Sequence, residues 1–119
     1  MATKSESIME KTKKHGQLNC MHITNLMMPA VRASVTEKLL SMGYGQESIA
    51  KELGIVQAAV SKYMNGRYSE HVGAIKKHIE DGNLCNCIIE SIVKKKGKTV
   101  VEKDISRLCE NLIDYYNSQ

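Results

Sequence analysis

Four cysteines and a run of short polar residues carry the chemistry that this sequence offers. Cys85-Asn86-Cys87 sets two thiols on either side of one residue, and Cys20 and Cys109 stand alone. Thiolate sulfur holds zinc or an iron–sulfur cluster, and His22, His71 and His78 offer imidazole nitrogen as well. Cys20, Cys85, Cys87 and Cys109 are therefore candidate metal or redox residues, although a C-x-C pair with two distant cysteines is not a recognised ligand set. Cys109 also has a plainer reading, because beside Leu108 and Leu112 a buried thiol is simply a small hydrophobe. Cys85 and Cys87 fall where a helix begins, where the dipole and open amides favour thiolate. An enzymatic use of the pair would be a thiol–disulfide couple with a nearby histidine as proton acceptor. The sequence contains no phosphate-cradling glycine loop, no paired carboxylates on a cleft-forming scaffold and no H-E-x-x-H. The expectation is that the chain is not an enzyme.

A second chemistry lies between Gln46 and Arg67. Gln57, Ala58, Ser61, Lys62 and Asn65 recur at the spacing of one helix face. They are short or polar, and amide side chains at such a face pair with base edges in a major groove. That chemistry requires the opposite face to be anchored. Ile49, Ala50 and Leu53 give a helix over 46–53 one buried side, and Gly54 ends it because glycine tolerates left-handed backbone. A second helix from about 57 to 65 turns Val60, Tyr63 and Met64 inward, with Ile55 and Val56 plugging the corner. Ala50 is small where the two helices cross, so they approach closely at a steep angle. The pattern predicts a helix-turn-helix, and with it duplex DNA as the partner.

Ile49, Ala50, Leu53, Gly54, Ile55, Val60 and Tyr63 resemble the framework of lambda-repressor-like helix-turn-helix proteins. Gln57-Ala58-Ala59-Val60-Ser61-Lys62-Tyr63 is similar to archaeal transcription regulators of that class. The resemblance spans about Pro29 to Arg67, about a third of the chain. It implies that Gln46 stands near a phosphate and that Gln57 reaches an adenine. It also brings C-terminal cysteine groups into view, since some regulators of this type carry them. One position departs from the pattern. The residue before the second helix is usually Ser or Thr, whereas Val56 offers no side-chain acceptor, a loss worth about 1 kcal/mol.

Composition bounds the rest. A chain of 119 residues suits one small domain with an appendage. Trp and Phe are absent, so an aliphatic core with seven Met as adaptable filler is expected. A single Pro and long helical periodicities favour an all-α protein. The formal charge of +4 is compatible with nucleic acid without requiring it. Two blocks concentrate the charge, Lys4, Lys11, Lys13 and Lys14 at the start and Lys94, Lys95, Lys96 and Lys98 later. Either block could follow phosphates, or simply be a solvated surface. The sequence has no membrane-spanning stretch and no secretory core, which predicts a cytoplasmic protein whose cysteines are thiols or ligands rather than disulfides.

Taken in order, residues 1–24 read as a basic, mobile arm. Residues 25–82 read as the helix-turn-helix domain. Pro29 opens a supporting helix, with Val31, Val35, Leu39 and Met42 as its stripe and Gly43 as its end. Past the second helix of the motif, Gly66 closes and Arg67 is the leading candidate for a phosphate contact. A further helix over about 70–81 buries Val72, Ile75 and Ile79 and stops at Gly82. Residues 83–119 read as a C-terminal helical hairpin. Its second helix carries a heptad-like seam of Val101, Ile105, Leu108 and Leu112. So short a hairpin must pack on the first unit or on another copy, and a homodimer through it is the expectation, reading two half-sites about a turn apart. The alternatives are a redox- or metal-sensing regulator using the C-terminal cysteines, and an adaptor that binds protein instead of DNA. The polar face of the second helix argues against the adaptor, which would more often present Leu, Met or aromatic anchors.

Overall fold

The computed structural model describes residues 23–118. Those residues form an all-α protein with no strand among them. A π-helical turn, Ile23–Met27, leads into α1 (Met28–Ser41), α2 (Gln46–Leu53), α3 (Gln57–Met64), α4 (Glu70–Asp81), α5 (Asn86–Val93) and α6 (Lys98–Asn117). The arm expected over 1–24 lies outside the described residues except for Ile23 and Thr24.

α1 is the centre of the molecule. It packs against the π turn and every other helix. Pro29 sits in its first turn, where a missing N–H leaves no bond unmade. The sequence predicts a single apolar stripe on this helix, but burial goes further: Ala30, Ala33, Ser34 and Thr36 join Val31, Val35 and Leu39 inside. Small side chains on the remaining faces let neighbouring helices approach from several sides. Met42, predicted as the end of the stripe, is instead 45% exposed, because the helix stops at Ser41.

α4 starts at an N-cap, with Val72 N–H donating to Ser69 Oγ at 3.2 Å. It buries Val72, Ala74, Ile75 and Ile79. Gly82 follows it with an ordinary φ of −95°, and Asn83 adopts the left-handed conformation at φ 51°. The helix thus stops at Gly82 as the sequence predicts, and the left-handed turn falls one residue later, where an Asn side chain tolerates that region better than most.

α5 and α6 form the hairpin read from the sequence. Ser91 Oγ donates to Asp104 Oδ2 at 2.5 Å across it. The hairpin packs on the preceding helices: α6 lies on α1, α2 and the π turn, and α5 lies on α1. Val101, Ile105, Leu108 and Leu112 are each at most 8% exposed. One hydrophobic cluster runs from Met27 to Tyr116, so residues 83–118 share their core with residues 23–82. Near the C-terminal end, Tyr115 stacks on His78 of α4 with ring centroids 4.5 Å apart, and Tyr116 meets the same imidazole edge-on. Among the described residues no helix is long and apolar enough to cross a membrane.

Candidate functional site

The stretch from Gln46 to Arg67 folds as two eight-residue helices around Gly54, Ile55 and Val56. α2 buries Ile49, Ala50 and Leu53, as the spacing predicts. Gly54 holds φ 66°, and Ile55 N–H closes the end of α2 by donating to Ala50 O at 3.0 Å. Ile55 is half-buried against the core, but Val56 is 71% exposed and does not plug the corner. Val56 is the N-cap of α3, with extended backbone and no side-chain cap. Its place at the surface follows from that backbone, which carries the chain outward before α3 turns back.

α3 packs on α1 and α2 through a narrow buried face. Val60 is its one buried residue, fully enclosed, while Ala59, Ser61 and Tyr63 are half-buried. Met64, expected inside, is 41% exposed, because the helix ends there and its last turn leaves the core. Burying one valine is worth about 1.5–3 kcal/mol, and eight residues do not make a stable helix alone. The ends supply the remaining restraint. After α3, Gly66 turns left-handed at φ 65°, its N–H donates to Tyr63 O at 3.2 Å, and Arg67 N–H donates to Lys62 O at 3.0 Å. Those paired bonds fix the direction in which the chain leaves and the position of the Arg67 backbone.

Gln57, Ala58, Lys62, Asn65 and Arg67 are exposed, and Ser61 is half-buried beside them. Gln46 opens α2, also half-buried. The five predicted residues of α3 and its C-cap thus share one outward side opposite Val60. Asn65 has a local task there: its amide nitrogen donates to Ser61 O at 2.9 Å and lies 3.4 Å from Ser61 Oγ. An Asn amide turned back on its own helix is less available for an outside acceptor, so Asn65 orders Ser61 as well as adding polarity. No ion pair engages Lys62 or Arg67 among the described residues, and their charge remains on the surface. The face accepts and donates hydrogen bonds and carries net positive charge, which fits a partner rich in anionic oxygen.

The cysteines do not come together. Cys85 and Cys109 are buried and Cys87 is exposed, while Cys20 lies outside the described residues. No group of three or more His, Cys, Asp or Glu side chains gathers as a metal site among the described residues. Contrary to the thiolate expected at the start of α5, burial pushes the Cys85 thiol above its ordinary value, against a backbone hydrogen bond and then Lys38, which pull the other way. Burial likewise pushes Cys109 up to about 11 despite nearby Arg32. The Cys109 thiol donates to Met28 Sδ at 3.4 Å, a contact between apolar neighbours in the core.

Two further features escape the sequence pattern. Lys98, at the start of α6, lies across Gly54: a Cβ built on that glycine would stand 2.7 Å from Lys98 Cε. Chain separation hides this contact, and no periodicity signals it. The other is a cleft of about 270 Å³ between the ends of α1 and α4 and the start of α5, lined by Ser34, Lys38, Ser41, Asn83, Cys85 and Asn86 among others. Comparison with known proteins finds no matching family model, no matching curated protein and no matching solved structure.

Proposed function

We propose that this chain is a sequence-specific regulator of transcription that binds double-stranded DNA through a helix-turn-helix formed by α2 and α3. The observation that carries the reading is the two-sidedness of α3: Val60 alone is enclosed, and Gln57, Ala58, Lys62 and Asn65 are exposed on the side away from it. A helix kept for packing would bury more of its surface. One kept to present a polar face to a groove needs only to be held firmly from behind and at its ends.

In this reading Gln57 reads a base edge with its amide, and adenine is the base whose edge matches a bidentate amide. Gln46 steadies it near a phosphate, Ala58 meets a thymine methyl, and Ser61 and Asn65 contribute groove or sugar contacts. Lys62 and Arg67 neutralise phosphates and supply the sequence-blind part of the affinity. The protein works in the cytoplasm.

The reading includes two copies on one duplex, as two-fold symmetric half-sites demand. The seam at Val101, Ile105, Leu108 and Leu112 is buried within the chain, so the copies meet through other surfaces. Selection of bound duplexes from a random pool tests the whole reading. Enrichment of one motif, repeated as inverted half-sites about 10 base pairs apart, is the expected result. A single unpaired motif would remove the dimer, and a pool without enrichment would remove sequence-specific binding.

A further inference from the structure

We infer that Lys95, Lys96 and Lys98 form a second phosphate-binding edge for the duplex proposed to lie against α3, so that cations grip the DNA backbone at both ends of that helix. The inference rests on the DNA-binding reading and adds a surface that the motif does not contain.

The connection between α5 and α6 holds Lys94, Lys95, Lys96 and Lys98 close together, all exposed. Glu90 pairs with Lys94 at 2.6 Å. Among the described residues no salt bridge engages Lys95, Lys96 or Lys98. Glu102, one turn along α6 from Lys98, and Glu52 on α2 form none with them either. The three charges stand together with no carboxylate bonded to any of them, although Glu90, whose carboxyl Lys94 holds below the usual range, is near enough to Lys96 for that charge to add to the effect.

The connection is also held in shape. Lys95 N–H donates to Ile92 O at 3.1 Å, and Lys96 N–H donates to Ser91 O at 3.0 Å. Lys95 adopts φ 53°, a left-handed conformation that costs a side chain about 1 kcal/mol or more. The hydrogen bond from Ser91 to Asp104 ties the two flanking helices together. The C-terminal end of α2 and Glu90 offset part of this crowding of like charge on a fixed turn, and a polyanion would offset the remaining repulsion directly.

Position selects the partner. The Lys98 side chain lies on Gly54, with Nζ 3.1 Å from where a Cβ would be. Gly54 belongs to the turn that leads into α3, and Arg67 follows the other end of α3. Eight residues of helix span about 12 Å, close to the width of a major groove, about 12 Å. A duplex seated on Gln57 thus meets lysines beyond one end of α3 and Arg67 beyond the other. An acidic protein would match the charge but not this bracket around a base-reading face.

The test is the salt dependence of binding by the full chain, between about 50 and 200 mM salt, on a selected duplex and a scrambled one. Substituting Lys95→Gln, Lys96→Gln and Lys98→Gln together is expected to flatten the plot of log K against log salt by about 2.7 units per bound protomer on both duplexes. The corresponding arginine variant keeps the wild-type slope. Lys98→Gln alone flattens it by about 0.9, which keeps the test open if the triple variant folds poorly. An unchanged slope in variants with wild-type helicity and melting overturns the inference, while a wild-type preference for the selected duplex would leave the DNA reading standing. A wild-type chain that binds neither duplex overturns both.

Discussion

Lys98 reaches Gly54, its Cε placed 2.7 Å from where a Cβ on the glycine would be, so the start of α6 touches the turn between α2 and α3. The ammonium stands at the C-terminal end of α2, where the helix dipole welcomes positive charge. Gly54 is also the residue whose φ of 66° lets the chain reverse. Gly54→Ala is expected to lower stability by about 1–2 kcal/mol through its backbone alone. Most of that loss should persist in a Lys98→Ala background, since the end of a lysine side chain swings aside cheaply. Urea denaturation checks both, and an alanine variant as stable as wild type would contradict the left-handed turn.

Lys95 makes the opposite case. Its φ of 53° puts a long side chain where glycine is at ease. Lys95→Gly is expected to raise the stability of the free protein by about 0.5–1 kcal/mol. Thermal melting of the two proteins in the same buffer decides it. A lower melting temperature in the glycine variant would mean that the lysine is not strained.

Thiol reactivity separates the cysteines. In a Cys20→Ser background, one fast-reacting thiol per folded chain is expected from a disulfide exchange reagent, and Cys87→Ser removes it. Cys85 and Cys109 should react only as the chain opens, because burial hides both and holds both thiols protonated. The pH dependence follows in sign. The Cys109 thiol is raised from 9.0 to about 11 in the folded chain. The contribution to stability is therefore complete below pH 9 and is lost as pH rises towards 11, when the unfolded thiol ionises and the folded one resists. Comparison of denaturation curves for wild type and Cys109→Ala isolates it, and parallel pH profiles would contradict it.

Much of this architecture is legible in the residues, and each miss has a physical cause. Ile49, Ala50 and Leu53 on α2, and Val101, Ile105, Leu108 and Leu112 on α6, announce their buried sides because each helix has one apolar face and one solvated face. α1 announces only part of its buried surface, Val31, Val35 and Leu39, since Ser34 and Thr36 are buried as well, and a helix enclosed by neighbours loses its period. Met42, Val56 and Met64 mislead for another reason. They follow the apolar pattern but fall at helix ends, where the backbone leaves the core and side-chain type no longer decides burial. Cys85 misleads on electrostatics, because desolvation outweighs the helix terminus. The Lys98–Gly54 contact and the Ser91–Asp104 bond join separate segments, and a pattern read along the chain carries no signal for either.

DNA recognition by this chain depends on the outward side of α3. Its most direct test compares Gln57→Ala with wild type on a duplex selected from a random pool and on a scrambled duplex, at one salt concentration. The predicted result is a loss of about 1–3 kcal/mol on the selected duplex with scrambled binding almost unchanged. An equal loss on both duplexes, or no loss on either, would contradict base reading by this helix.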